Sequence, residues 1–368
     1  MYIGDENNKW STEEIKSIAK DILSTINKNL QKIKNLDCTE INEKAIIDEY
    51  YELILINKIK PLFNQPYRGS KAKTDFKNNI YDIQLWKTDH PASVYAFYWL
   101  TFNVNINYVN NCFLNLVPII LTLIDDYQIT YKLIGVKLMK YCIINNTDPI
   151  QIRSTGLANV FLEALRLCLS FHSNPELMDE SLPCIINLIK LMVNYNEPQN
   201  SPEFFLLIEK VITEDIVKGL SLSIGKTSVV IFLKYIPLIV DAIGIVSIKY
   251  LQLFIGPCCE ILSFNYGNYE NQLYASKALL SLTEACIPRI NKYVGMIMES
   301  TVECWRQIKK KESIRKDLNN EEIKMKMELE NYLKKIYKTL MQTKIESVKN
   351  NIALLELIDP SIYQDLFE

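Results

Sequence analysis

Apolar residues between Leu116 and Cys142 recur at helical spacing on both sides of a short polar break. The first run contains Pro118, and the break is Asp125-Asp126-Tyr127. The second run places apolar side chains three or four residues apart, at Ile129, Leu133, Val136 and Met139. Two helices joined by so short a connection lie side by side and antiparallel. The pattern therefore predicts one unit of a helical-hairpin repeat.

The residues around this break resemble the HEAT type of hairpin. Pro118 lies inside the first helix and removes a backbone donor there. Asp126 stands where the second helix is expected to begin, and the carboxylates of Asp125 and Asp126 are both expected to cap that helix. Lys132 and the small residue Gly135 follow. The HEAT consensus usually has arginine at the position of Lys132, which puts bidentate pairing between repeats in doubt. An ordinary amphipathic helix pair with irregular packing is the alternative.

Similar helix pairs recur along the chain every roughly 40 to 50 residues, the range of HEAT and armadillo repeats. This spacing predicts an all-α fold, a degenerate HEAT/armadillo-like α-solenoid of antiparallel helical hairpins. Four regions are expected: an N-terminal helical hairpin (1–63), a linker (64–84), a HEAT-like repeat array (85–345) and short C-terminal helices (346–368).

The composition agrees with a helical protein. The 368 residues include only 10 glycines, so there is little material for tight β turns, and the net charge of −2 gives no support to nucleic-acid binding. The nine cysteines contain no C-x-x-C pair, a pattern typical of reduced, buried thiols in an intracellular protein. The apolar region 229–262 is interrupted by Lys234, Asp241 and Lys249, so we expect no membrane span.

The candidate chemistry is sparse. The two histidines, His90 and His172, are expected at helix ends, and they are too few for a His-rich metal site. The segment Gly219–Thr227 imitates a phosphate loop, but it has five residues between its glycines where the motif has four, and it lies between helix patterns. A nucleotide-using enzyme is therefore the weaker alternative, and we expect no catalytic residue, cofactor or metal.

The densest basic cluster is Lys309-Lys310-Lys311, in a charged helix that still carries one apolar face. A terminal repeat with a solvated outer face accounts for this pattern. An RNA-binding or membrane-surface site is the competing interpretation of the same residues.

Four segments together resemble the core signature of a known family, the Tel-two-interacting protein two (Tti-two) family. They are Leu85-Trp86-Lys87, Tyr98-Trp99-Leu100, the hairpin 116–139, and the run from Arg153 through Gly156 and Leu157 to Phe161. The segments span about a quarter of the chain, and the regions outside them are assigned by architecture alone.

The resemblance implies a non-catalytic helical-repeat subunit of the TTT complex, found in cytoplasm and nucleus. Its expected partners are a Tti-one-like large HEAT protein and a Tel-two-like protein. It would act indirectly on phosphatidylinositol-3-kinase-related protein kinases, together with the ninety-kilodalton heat-shock chaperone. A HEAT/armadillo-like adaptor in transport or trafficking is the alternative function.

The signature residues Pro118, Asp125, Asp126, Lys132, Gly135, Arg153, Gly156 and Leu157 are predicted to form a structural or partner-binding motif. Gly156 would allow a tight turn into the helix that starts at Leu157. Arg153 is hypothesised to reach the Asp125-Asp126 corner, so that Asp126→Ala would cost about 1–2 kcal/mol. The larger HEAT partner is expected on exposed apolar helix faces of the C-terminal half.

Overall fold

The computed structural model describes residues 12–34, 43–63, 84–145, 148–193, 201–223, 228–264, 268–314, 319–343 and 345–367. Within these ranges every regular element is helical, and no strand occurs. The all-α, solenoid-like fold class is therefore confirmed. The chain forms two compact units, Met1–Ala164 and Leu165–Glu368.

The helices that begin in the first unit are α1 (Glu13–Lys34), α2 (Glu43–Ile54), α3 (Lys60–Phe63), α4 (Leu85–Thr88), α5 (Ala92–Asn103), α6 (Ile106–Asn111), α7 (Phe113–Asp125), α8 (Ile129–Met139), α9 (Pro149–Ser154) and α10 (Leu157–Cys168). Two π-helical turns extend them, Leu55–Ile59 before α3 and Lys140–Ile144 after α8. The division between the units falls inside α10.

The helices of the second unit are α11 (Pro175–Met192), α12 (Pro202–Lys210), α13 (Lys218–Ser223), α14 (Val229–Ile243), α15 (Leu251–Phe264), α16 (Tyr269–Ala285), α17 (Ile287–Ile290), α18 (Val294–Ile314), α19 (Asn320–Gln342), α20 (Glu346–Ile358) and α21 (Pro360–Phe367). A π-helical segment, Val211–Val217, joins α12 to α13, and 3-10 segments, Gly244–Tyr250 and Asn291–Tyr293, precede α15 and α18.

The first unit is built around the hairpin of α7 and α8, which pack directly on each other. Their facing side chains are fully buried, among them Ile120, Leu123 and Val136. Each such side chain contributes about 1.5–3 kcal/mol through burial of apolar surface. The close approach depends on Gly135, where an added Cβ would lie 2.7 Å from Cγ1 and 2.8 Å from the backbone N of Ile124. The predicted helical hairpin is confirmed here.

The helical run α2–α3 packs against the same core. Lys60 Nζ donates to the Asn115 side chain at 2.7 Å, and the buried Tyr51 and Thr101 hydroxyls are 3.4 Å apart. The run continues to Phe63. A proline ordinarily ends a helix at the preceding residue, but this helical run passes through Pro61. The π-helical turn before Pro61 changes the local hydrogen-bonding register, so a residue without an N–H can be accommodated.

The second unit is organised around α16, which contacts α14, α15 and α19. Buried residues therefore occur around most of its circumference, including the polar residues Gln272, Ser276 and Thr283. Hydrogen bonds satisfy these groups within the core, for example Thr283 Oγ1 to the Leu279 carbonyl at 2.7 Å and Gln272 Nε2 to the Leu262 carbonyl at 3.2 Å.

Prolines interrupt the interior of four long helices, at Pro118 in α7, Pro183 in α11, Pro237 in α14 and Pro257 in α15. Each ring is at least partly exposed. A proline on the outer side of a helix leaves its unmatched carbonyl within reach of water, so the missing hydrogen bond costs less there. The feature seen in the sequence at Pro118 thus recurs in both units.

The predicted linker 64–84 lies outside the described residues except for Gln84. The predicted boundaries at residues 63, 84 and 345 remain predictions.

Candidate functional site

Asp126 forms the corner between α7 and α8, with its side chain only 1% exposed. The carboxylate accepts the Gln128 N–H at 2.7 Å, a bond to the residue two positions later that fixes the turn. Gln128, not Asp126, is the N-cap of α8. The carboxylate therefore shapes the turn one step before the helix begins, and the expected capping position is corrected by two residues.

Lys87 supplies the charge that balances Asp126. Its Nζ atom donates to both carboxylate oxygens, at 2.9 and 2.8 Å, and its side chain is 13% exposed. The ammonium also lies 3.7 Å from the centre of the Tyr127 ring and 5.4 Å from that of Tyr131. Aromatic faces attract cations, most strongly where water is excluded. The corner is thus a buried ion pair walled by aromatic rings.

Trp86 packs against the aromatic rings beside this ion pair. It is 1% exposed, stacks on Phe63 with the ring centres 5.2 Å apart, and meets Tyr131 edge-on at 5.0 Å. Burial raises the pKa of the Tyr131 hydroxyl. The signature segment Leu85-Trp86-Lys87 and the hairpin 116–139 therefore meet at one corner, although more than thirty residues separate Lys87 from Asp126.

The other predicted site residues take separate positions in the hairpin. Asp125 is the last residue of α7 and its side chain is exposed, so the expectation that it caps α8 is wrong. Lys132 is buried and donates to the Ile124 carbonyl at the end of α7. This bond lies within one hairpin and satisfies one of the free carbonyls of a helix C-terminus. Gly135 provides the close approach described above, and Pro118 faces outward.

Arg153, Gly156 and Leu157 lie at the junction of α9 and α10. Gly156 has φ +68°, a left-handed conformation that glycine adopts without a Cβ penalty, and α10 begins at Leu157. Both oxygens of Asp126 are bonded by Lys87. The hypothesis did not consider Lys87 as the cation that pairs with Asp126. The link that it proposed, from Arg153 to the Asp125-Asp126 corner, remains a prediction.

Sequence reasoning also missed Arg166. Its guanidinium is buried in the second unit and donates to Asp215 through Nε at 2.6 Å and through Nη2 at 3.1 Å. Nη2 also donates to Glu214 at 2.7 Å. Arg166 thus forms with Asp215 the bidentate pairing that the HEAT consensus associates with an arginine at the position of Lys132. The adjacent acids Glu214-Asp215 were a signal, but nothing local connected them to an arginine 49 residues away.

The imitation phosphate loop serves packing. The π-helical segment Val211–Val217 leads into it, where the motif needs a strand, and Gly225–Thr227 lie outside the described residues. A Cβ on Gly219 would overlap the buried ring of Phe232. Gly219 therefore lets a phenylalanine ring lie against the backbone of α13, which accounts for this glycine without a nucleotide.

The described residues hold no group of three or more histidine, cysteine or acidic side chains that could bind a metal ion. The eight described cysteines are all buried, and none of them forms a disulfide with another. Burial raises the pKa of Cys259 to about 11 and that of Cys286 to about 11, so these thiols stay protonated at neutral pH.

One described stretch, Val229–Phe264, is long and apolar enough to cross a membrane, judged by length and composition. The most apolar 18-residue window of this stretch is 56% buried inside the protein. A 3-10 segment that begins at Gly244, with φ +54°, divides it into α14 and α15. Both helices pack on α16, so the structure uses the stretch as core of the second unit.

The basic cluster is partly neutralised by other helices. Lys309 lies 3.2 Å from Asp365 and 3.6 Å from Glu330, and Lys334 pairs with Asp365 at 2.6 Å. The Trp305 indole N–H donates to the Ile362 carbonyl at 2.7 Å. These contacts fasten α21 to α18 and α19, which agrees with a solvated terminal repeat more than with a free basic surface.

Antiparallel helical pairs that pack side by side are the building units of helical-repeat proteins, a class whose extended surfaces bind other proteins. The Tti2 family model matches residues 1–265. The chain belongs to the Tti2 family. Neither the comparison with curated proteins nor the comparison with solved structures gave a match. Membership associates the chain in general with the TTT complex, since Tti2 proteins are non-catalytic co-chaperone subunits of it.

Proposed function

We propose that the chain is a scaffold subunit of a TTT-like co-chaperone complex that supports the folding, stability and assembly of phosphatidylinositol-3-kinase-related protein kinases. The observation that carries this proposal is the family match, which covers residues 1–265. The scaffold role and the identity of the client kinases go beyond what membership alone gives.

The physical design of the helical pairs supports a scaffold. The three charged side chains that are buried among the described residues, Asp126, Lys132 and Arg166, each bond to another helix of the chain. A catalytic acid or nucleophile needs to face a substrate within hydrogen-bonding distance. These charged groups already bond to other groups of the chain and hold its helices together. The exposed surface of the helices remains available to partners.

The proposed direct partners are a Tti-one-like large HEAT protein and a Tel-two-like protein. The kinases and the ninety-kilodalton heat-shock chaperone are reached through them. We place the complex in the cytoplasm and the nucleus, with no nucleic acid and no membrane span involved. Cofactors are not part of the proposal.

Affinity purification of the tagged full chain, followed by mass spectrometry, tests the proposal. We expect a large helical-repeat protein in near-equal amounts with the chain, a Tel-two-like protein, and giant kinases in smaller amounts. Depletion of the chain should lower the steady-state abundance of those kinases, and re-expression should restore it.

Three results would overturn the proposal. Importins, small GTPases or coat proteins as the main co-purifying species would favour a transport adaptor. Unchanged kinase abundance after depletion would remove the client relationship. Turnover of ATP by the purified chain would contradict a non-catalytic subunit. A mock purification from untransformed cells controls for contaminating ATPases.

A further inference from the structure

The first unit contains an open groove of about 920 Å³ between the π-helical end of α2 and the first turns of α5. Its two walls are mainly apolar, with Ile54, Ile59 and Leu62 on one side and Ala92, Ala96 and Leu100 on the other. Grooves of this size take several large apolar side chains. An amphipathic helix fills such a space with anchors at positions i, i+4 and i+7.

The groove lining also contains a polar group without a partner. The Ser93 hydroxyl oxygen is shielded from water and has no hydrogen bond among the described groups. A buried hydroxyl left unbonded is unfavourable, and most such groups in native proteins find a partner. The first turn of α5 therefore carries an unsatisfied polar group beside the groove.

The two walls carry opposite charges at their rims. Lys58 belongs to the wall formed by the π-helical turn, and Asp89 precedes α5 on the other wall. Both side chains are exposed, and neither forms an ion pair with any of the described residues. An anionic lipid or phosphate ligand would be attracted by Lys58 but repelled by Asp89. A helix with an acidic residue along one edge and a basic residue along the other complements both.

We propose that this groove receives an amphipathic helix of a protein partner, with apolar anchors between the walls, an acidic side chain at Lys58 and a basic side chain at Asp89. The inference rests on the proposed function, under which that partner is the large helical-repeat subunit of the complex.

The extent of the family match favours this groove over the exposed C-terminal apolar surface. All groove residues fall within the matched residues 1–265, whereas Leu354, Leu357 and Ile358, which are 57–80% exposed, fall outside. A partner shared by the family needs a site in the region that defines the family. We therefore place the large subunit at this groove and not at the exposed apolar residues of α20; the earlier expectation for the rest of the C-terminal half remains a prediction.

Ala92→Trp tests the groove directly, because it adds an indole to an exposed position on the wall without removing a core side chain. The matched control is Ala353→Trp, the same change at an exposed alanine of α20. Each full-length variant is titrated against the purified large subunit by biolayer interferometry. We expect Ala92→Trp to weaken binding by about 30-fold or more, as loss of a central anchor does, and Ala353→Trp to match wild type.

A second variant tests the charges. The double exchange Lys58→Glu with Asp89→Lys keeps the net charge of the chain and should weaken binding about tenfold, mainly through slower association at low salt. Circular dichroism and thermal melting of each variant establish that it is folded. If Ala92→Trp melts below wild type, the charge exchange, at two exposed positions, carries the test.

The outcomes separate the groove from the proposed function. If the wild-type chain does not bind the large subunit, the proposed function fails. If wild type and Ala92→Trp bind equally, the proposed function stands and the groove proposal is overturned. A co-purified lipid that native mass spectrometry detects on wild type but not on Ala92→Trp, with equal binding of the large subunit, would assign the groove to a small ligand and also overturn it.

Discussion

The two buried ion pairs described above, one in each unit, have different cations. In the first unit, Lys87 pairs with one carboxylate, that of Asp126, and the rest of its surroundings are aromatic rings. In the second unit, Arg166 bridges two carboxylates, those of Asp215 and Glu214. Both cations are largely buried, with 13% and 8% of their side chains exposed.

This difference follows from the geometry of the two cations. A lysine ammonium is a compact point charge that one carboxylate and a set of ring faces can surround. A guanidinium is a planar fork with five donors, so it needs more acceptors and can join two acidic side chains at once. The guanidinium of Arg166 can therefore direct separate hydrogen bonds to two acids, whereas the ammonium of Lys87 suits one acid enclosed by aromatic rings.

A third pair shows what burial contributes. Lys334 and Asp365 approach as closely as the others, at 2.6 Å, but Asp365 is 54% exposed. Water and salt screen such a pair, and removal of one partner leaves the other hydrated. If burial governs the contribution of each pair to stability, the three sites should rank from Asp126 to Arg166 to Asp365.

The largest effect is expected for Asp126→Ala. The change leaves the Lys87 ammonium buried without its anion and removes the acceptor of the Gln128 N–H. We expect the free energy of unfolding to fall by about 3 kcal/mol, measured by urea denaturation followed by circular dichroism. This exceeds the 1–2 kcal/mol expected from a helix cap and a partly exposed pair, because Lys87 is mostly shielded from water.

Asp125→Ala is the matched control, since it removes the adjacent but exposed carboxylate. It should change the free energy of unfolding by less than about 0.5 kcal/mol. Equal destabilisation by the two variants would show that the net charge of the turn, and not the buried pair, stabilises this corner.

The same corner shows how far the sequence could be read. The helical period and the polar break predicted α7, the turn and α8, because those signals lie within 30 residues of one another. The Asp126–Gln128 bond is equally local. Lys87 is 39 residues from Asp126 and was recognised only as part of a resemblance, since a pairing over that distance depends on how helices pack.

Arg166 and the groove show the corresponding limit for the candidate sites. The acids that pair with Arg166 lie 48 and 49 residues away. The groove walls come from residues near 54–62 and 89–100, and an alanine such as Ala92 or Ala96 has no distinguishing pattern in the sequence. A groove forms where small side chains on separate helices leave a space between them. Periodicity along a single helix predicts which face is buried, but not whether the neighbouring helix fills the space.

The intermediate effect is expected for Arg166→Lys. The substitution keeps the positive charge but loses the fork, so one ammonium cannot reproduce the three bonds to Asp215 and Glu214. We expect a loss of about 1–2 kcal/mol by the same urea measurement. If lysine is tolerated here without loss, the contrast between the two cations does not hold.

Arg306→Lys is the control for this change. Arg306 pairs with Glu303 one helical turn away, and its side chain is 58% exposed. Because an exposed pair within one helix contributes little, the control should stay within about 0.5 kcal/mol of wild type.

The smallest effect is expected for Asp365→Asn, and its dependence on pH distinguishes it from the others. The hydrogen bond from Lys334, followed by that from Lys309, lowers the pKa of the Asp365 carboxyl below its ordinary value of 3.8. A carboxyl with a depressed pKa in the folded state stabilises that state above the ordinary value, and the contribution is lost as the pH falls through the lower, folded value. Wild type should therefore exceed Asp365→Asn by less than about 1 kcal/mol at pH 7.

The difference should disappear when the pH is taken below 3.8 and through the folded pKa, and it should shrink at pH 7 in 1 M salt. The Asp126→Ala difference at pH 7 should survive that salt better, because only 13% of the Lys87 side chain and 1% of the Asp126 side chain are exposed. Glu356→Gln, at an exposed carboxylate of α20, controls for general charge removal. If salt reduced the Asp126 and Asp365 effects in the same proportion, solvent would screen both pairs equally. Burial would then not explain why one pair stabilises the protein more than the other.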